Sequence, residues 1–112
     1  MTNYLRAAAS ALFLSAAFAL PALPALAESP LTVTLKDGHA APAEVHVAAG
    51  KIFTLTVVNK GKSTAEFDSP RLQLVKAIPP AHKLVLKMAL PAGRYGFLDT
   101  RHKTAKGEIV AK

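Results

Sequence analysis

The chain's length, charge and cysteine content limit what it can be. It has 112 residues, with 14 Lys and Arg against 7 Asp and Glu, a formal net charge of +7 and no Cys. The length allows one domain with a modest core. The lack of Cys excludes a disulfide-stapled scaffold and any thiolate metal centre.

Residues 1–27 have the pattern of a cleaved signal peptide. Arg6 supplies the positive charge, residues 7–20 are apolar, and Ala25-Leu26-Ala27 fits an A-x-A cleavage site. The apolar run is shorter than the roughly 20 residues that cross a bilayer, and no Cys follows it to carry a lipid. We therefore expect a periplasmic protein without a membrane anchor, whose single domain occupies residues 28–112.

The remaining sequence indicates short strands separated by turns. Asp37-Gly38, Ala49-Gly50 and the turn after Asn59 punctuate apolar runs that alternate with period two or are rich in β-branched residues. Residues 72–78 fit either a strand or an irregular turn. The pattern predicts an all-β antiparallel sandwich of about seven strands with no long helix, at residues 31–35, 44–47, 52–58, 65–68, 82–90, 95–98 and 107–111.

Four side chains could form a metal site. Glu66 and Asp68 are two apart on one short strand and so share a face, while Phe67 between them points into the core. Asp99 and His102 lie three apart in the loop before the last strand. If these segments meet, three carboxylates and one imidazole converge, a set that suits iron, manganese, zinc or cupric copper better than cuprous copper. We therefore predict His102, Glu66, Asp68 and Asp99 as metal ligands.

The same residues allow a second interpretation. Carboxylates on a strand commonly face solvent and discourage edge pairing, and an Asp in a loop commonly caps backbone N–H groups. Arg71, Arg101, Lys103 and Lys106 lie nearby in sequence and oppose a bound cation. The alternative is a metal-free, basic β-sandwich that docks an acidic periplasmic partner. Export and the lack of a recognition helix argue against nucleic acid, and no catalytic residue is predicted, because no nucleophile–base pattern is visible.

Several segments resemble the small cupredoxin-like domain of bacterial periplasmic iron-uptake systems. They are residues 41–50, 57–59 and 91–95, together with Glu66-Phe67-Asp68-Ser69, which matches the family's Glu-Phe-Glu-Ser motif. His102 matches the family's late-loop His. The resemblance implies a Greek-key β-sandwich, export, and binding of copper or iron beside a ferrous-iron transporter.

The chain departs from that family at several polar positions. Pro70 and Arg71 replace a His and a Glu, Val75 replaces a further Glu, and Thr100 replaces an acidic residue. In blue-copper cupredoxins the late loop carries a Cys, a His three positions later and then a Met. Here Asp99 stands in place of the Cys, and no Met follows the His.

Taken together, these features predict a non-blue copper or iron site in a carrier or redox accessory. The expected partner is an iron-uptake membrane permease or a periplasmic metal-binding protein. Ferroxidase activity is implied by the resemblance alone.

Overall fold

The computed structural model describes residues 31–112, which fold as two packed β-sheets. The predicted signal peptide lies outside the described residues. Within residues 31–112 there are nine strands and no α-helix. The strands are β1 (Leu31–Lys36), β2 (His39–Ala41), β3 (Glu44–Val47), β4 (Phe53–Asn59), β5 (Ala65–Ser69), β6 (Leu74–Ile78), β7 (Lys83–Met88), β8 (Gly93–Asp99) and β9 (His102–Ala111).

The all-β prediction is confirmed, but the count of about seven strands is wrong. The two additional strands are β2 and β6. The first has only three residues, too few to show a pattern, and the second lies at a sheet edge, where its middle residues are exposed on both faces and do not alternate. The uncertain segment at residues 72–78 is therefore a strand preceded by a 3₁₀ turn at Pro70–Leu72. Pro70 occupies the start of that turn, where its missing N–H costs nothing.

The sheets have the strand orders β2-β1-β4-β7 and β3-β9-β8-β5-β6. The prediction of a purely antiparallel domain is wrong in two places, because β1 pairs with β4 and β3 pairs with β9 in parallel. Parallel neighbours are joined through other elements, so nothing local in the sequence reveals them. No helix within the described residues is long and apolar enough to cross a membrane.

The core lies between the sheets and is built from the alternating residues of each strand. In β5 the side chains of residues 65, 67 and 69 are buried and those of residues 66 and 68 are half-buried, as the orientation predicted for Phe67 requires. The Phe67 and Phe97 rings stack with centroids 5.1 Å apart. Val33, Leu55 and Val57 of the opposite sheet are fully buried as well. Each such side chain contributes roughly 1.5–3 kcal/mol to folding.

Candidate functional site

Three connections meet at one end of the sandwich, which we call the loop end. They are the β1–β2 turn, the β4–β5 loop and the β8–β9 turn, and together they surround a cavity of about 270 Å³. The polar and charged side chains on its wall include Lys36, Asp37, Lys62, Ser63, Asp99 and His102.

Asp99 is the buried charge at this end. It is the last residue of β8, on the inward face that also carries Tyr95 and Phe97, and it is 2% exposed. Its Oδ1 accepts hydrogen bonds from the backbone N–H of Glu66 at 2.9 Å and of Arg101 at 3.0 Å. One carboxylate oxygen therefore joins β5 to the β8–β9 turn, as burial of a charged group requires.

His102 connects Asp99 to the cavity. Its Nδ1 lies 2.7 Å from Oδ2 of Asp99, its Nε2 lies 3.0 Å from Oγ of Ser63, and its side chain is 38% exposed. An ionised carboxylate only accepts hydrogen bonds, so Nδ1 carries a proton, and in the neutral ring Nε2 accepts a hydrogen bond from the Ser63 hydroxyl. Three side chains thus form a single chain of hydrogen bonds that ends at the surface.

The other two predicted ligands lie elsewhere. Glu66 and Asp68 are on the outward face of β5, while Asp99 is on the inward face of the neighbouring strand. The carboxylate of Glu66 accepts a hydrogen bond from the Thr100 hydroxyl. The structure therefore brings Asp99 and His102 together, and it leaves Glu66 and Asp68 on the opposite side of the sheet.

The arrangement brings two candidate ligand side chains together, which is fewer than a mononuclear copper or iron centre needs. Such centres need about three or four converging ligands. Within residues 31–112 no group of three or more His, Cys, Asp or Glu is placed to hold a metal ion. Both carboxylate oxygens of Asp99 and both ring nitrogens of His102 are engaged in protein hydrogen bonds. The four-ligand metal site stays a prediction.

Asn59 and Ser63 are the members of this site that sequence reasoning missed. Asn59 is 2% exposed, and its amide donates to the carbonyl oxygens of Ser63 at 2.9 Å and Ile78 at 2.8 Å. Its Oδ1 accepts the N–H of Gly61 at 2.9 Å. This amide shapes the β4–β5 loop and so positions Ser63. An Asn before a Lys-Gly turn was a usable signal for Asn59, but nothing in the sequence indicated Ser63, since its partner His102 is 39 positions away.

Positive charge surrounds the cavity. Asp37 is the exposed acid of the three connections. The exposed cations, which we call the basic rim, are Lys36, Lys60, Lys62, Arg101 and Lys103.

One cation elsewhere is paired with carboxylates. Arg94, on the outer face of the five-stranded sheet, bonds Glu108 at 2.8 Å and Glu44 at 3.5 Å. The hydrogen bond and charge of Glu108 raise the pKa of Arg94. Within residues 31–112 no ion pair involves a cation of the basic rim. Exposed lysines without a carboxylate partner also lie at the opposite end of the sandwich, at Lys51, Lys87 and Lys112.

The chain is similar to a known protein family and to several solved structures. Residues 6–111 match the family model of the cupredoxin-like domain. Among solved structures, a Cu(I) form of an amicyanin mutant is similar, with a TM-score of 0.64 and 20% identity over 78% of this chain and 86% of that chain. Dithionite-reduced auracyanin from the photosynthetic bacterium Roseiflexus castenholzii has a TM-score of 0.63 and 14% identity over 77% of this chain and 98% of that one. No match was found among curated proteins. At these identities the likeness shows a shared fold.

Proposed function

The chain belongs to the cupredoxin-like domain family, and we propose that it is an exported binding module that docks an acidic protein partner through the basic rim of its loop end. The observation that carries this proposal is the composition of that end. Five exposed cations face one exposed carboxylate there, while the buried charge of Asp99 is already satisfied by the protein itself. An electron-carrier role of the blue-copper type is not proposed, because the chain has no thiolate ligand.

A rim of this kind favours fast, salt-sensitive association. Exposed charges attract one another over about 10 Å at 0.1 M ionic strength, so a cationic rim steers an acidic surface toward the loops before contact. Each exposed pair adds little affinity on its own. Several pairs that form together select for a partner with a matching acidic patch.

The sequence supports a proposed place of action and a proposed class of partner. The signal-peptide pattern of residues 1–27 supports export to the periplasm. The resemblance to iron-uptake domains supports an acidic partner within such a system, either the membrane permease or a periplasmic metal-binding protein. N-terminal sequencing of the protein recovered from a periplasmic fraction tests the first point, with Glu28 expected as the first residue.

The docking proposal is tested by NMR titration with a ten-residue polyglutamate peptide at several salt concentrations. The triple variant Lys60→Glu, Lys62→Glu, Arg101→Glu is expected to weaken binding about tenfold or more. The matched control reverses the exposed Lys51, Lys87 and Lys112, all at the opposite end of the sandwich.

Both triple variants change the net charge by the same amount, so only location distinguishes them. Shift changes confined to the loop end, with the control variant binding like the wild type, support the proposal. Equal weakening in the two variants would show that total charge, rather than the rim, attracts the peptide, and the proposal would then fail.

A copper- or iron-binding carrier or redox accessory is the second candidate function. One observation favours it, since an imidazole and a carboxylate, two of the four predicted ligands, lie 2.7 Å apart in His102 and Asp99. Calorimetric titration with Cu(II), Cu(I), Fe(II) and Zn(II) tests it. One-to-one binding at micromolar or tighter affinity, lost in His102→Ala and retained in His46→Ala, supports this function, and binding no tighter than about millimolar rejects it.

A further inference from the structure

The geometry points to a nucleophilic serine at the loop end: Ser63, His102 and Asp99 form a Ser–His–Asp site that accepts an acyl group from a small carboxylic ester. This activity goes beyond partner docking and uses side chains that docking does not need. It requires no metal ion and no cofactor.

The contacts follow the order that serine hydrolases use. The Oγ of Ser63 lies 3.0 Å from Nε2 of His102, and Nδ1 of the same ring lies 2.7 Å from the Asp99 carboxylate. Nucleophile and base are within hydrogen-bond reach, and a third group orients the base. Such sites are recognised by geometry and roles rather than by fold or sequence order.

Each member is held in place by a different part of the fold. The Asp99 side chain is 3% exposed, and two backbone N–H groups fix its carboxylate. That fixed carboxylate holds the imidazole of His102 in one tautomer and one orientation, which makes Asp99 a positioning residue. Asn59 holds the β4–β5 loop by donating to the carbonyl oxygen of Ser63. The hydroxyl therefore meets the base without rearrangement of the backbone.

The cavity limits the size of the acyl group and adds positive charge. All three side chains line the space of about 270 Å³, and Ser63 is exposed at its mouth. This volume is below the roughly 300–1,000 Å³ of common ligand pockets, so it suits a short acyl group such as acetyl. Lys36 and Lys62 line the same cavity, where positive charge favours the oxyanion that develops during acyl transfer.

The reaction consumes one ester and one water molecule and releases one alcohol and one carboxylic acid. Oγ of Ser63 bonds to the ester carbonyl carbon while its proton passes to Nε2 of His102. The bond to the alcohol oxygen then breaks, and the alcohol leaves with that proton. Water, deprotonated by the same nitrogen, attacks the acyl-serine and releases the carboxylic acid, and the proton returns to Oγ.

His46 supplies a matched control within the same chain. It also contacts a carboxylate, with Nε2 lying 2.9 Å from Oε1 of Glu44, but it is 60% exposed and its hydrogen-bond partner is this carboxylate rather than a serine. A general effect of surface imidazoles on esters would involve His46 as much as His102.

The test measures labelling by a fluorophosphonate probe and the release of p-nitrophenol from p-nitrophenyl acetate. Mass spectrometry is expected to find one adduct, on Ser63. Labelling should fall at least 100-fold in His102→Ala and remain at the wild-type rate in His46→Ala. Asp99→Asn should lower kcat and leave KM unchanged, which a merely structural defect would not do.

Ser63→Ala removes an exposed hydroxyl and should fold normally, so it keeps the proposal open to refutation even if the His102 variant unfolds. Loss of both the adduct and the ester hydrolysis in Ser63→Ala supports the site. The proposal is overturned if Ser63 reacts no faster than N-acetylserinamide, or if hydrolysis persists unchanged in Ser63→Ala.

Discussion

Replacing Asp99 by Ala should destabilise the fold strongly. The carboxylate accepts two backbone N–H bonds and one from His102, at 2.7–3.0 Å, while only 2% of the residue is exposed. Removing it leaves the N–H groups of Glu66 and Arg101 without their acceptor, and each such group costs about 1–3 kcal/mol. The summed loss is about 2–6 kcal/mol, a large part of the roughly 5–15 kcal/mol that stabilises an ordinary domain.

Urea unfolding followed by circular dichroism measures this loss, and Asp99→Asn is the matched control. The Asn side chain keeps Oδ1 as an acceptor for both N–H groups, while its Nδ2 donates to Nδ1 of His102, whose ring then takes the other tautomer. We expect this variant to lower the free energy of unfolding by about 1–2 kcal/mol. The slope of the unfolding free energy against urea should be the same in both variants, because the surface exposed on unfolding is unchanged.

Two results would refute this reasoning. A loss below about 1 kcal/mol in Asp99→Ala would mean that water replaces the carboxylate without penalty, so that the group is not a structural acceptor. Equal losses in the Ala and Asn variants would assign the stability to the charge alone rather than to the two backbone bonds.

Three further predictions concern the frame around the site. Gly107→Ala should lower the free energy of unfolding by at least about 2 kcal/mol, because the added Cβ would clash with the backbone carbonyl oxygen of Ala43. Gly96→Ala, whose Cβ would meet nothing closer than 3.9 Å, should be nearly neutral in thermal denaturation. Asn59→Ala should lower the free energy of unfolding by about 2–4 kcal/mol and raise the rate of amide hydrogen exchange in the β4–β5 loop. An unchanged exchange rate would contradict the proposal that Asn59 holds this loop in place. Phe67→Ala should lower the free energy of unfolding, measured by chemical denaturation, by about 3–5 kcal/mol. Ile52→Ala, at a residue that is 65% exposed, should lower it by less than about 0.5 kcal/mol.

The family and the inward or outward direction of most strand residues could be read from the sequence. Period-two alternation fixes which residues of a strand share a face, and it correctly placed Phe67 in the core. The turn pair Asp37-Gly38 correctly marked the end of β1. Both residues have positive φ, a backbone conformation that few residue types other than Gly, Asn and Asp tolerate. These signals are local, so a sequence displays them without knowledge of the fold.

The composition of the site was decided by tertiary structure. Glu66 and Asp68 share a face as predicted, but strand pairing puts that face on the outside of the sheet while Asp99 points inward. Pairing also brings Ser63 to His102 across 39 positions. Alternation determines which residues of one strand lie together, whereas sheet order and the packing of two sheets determine which strands and loops meet. The sequence alone therefore specified a cupredoxin-like sandwich with a basic surface, and only the folded chain joined Ser63, His102 and Asp99 at one end of it.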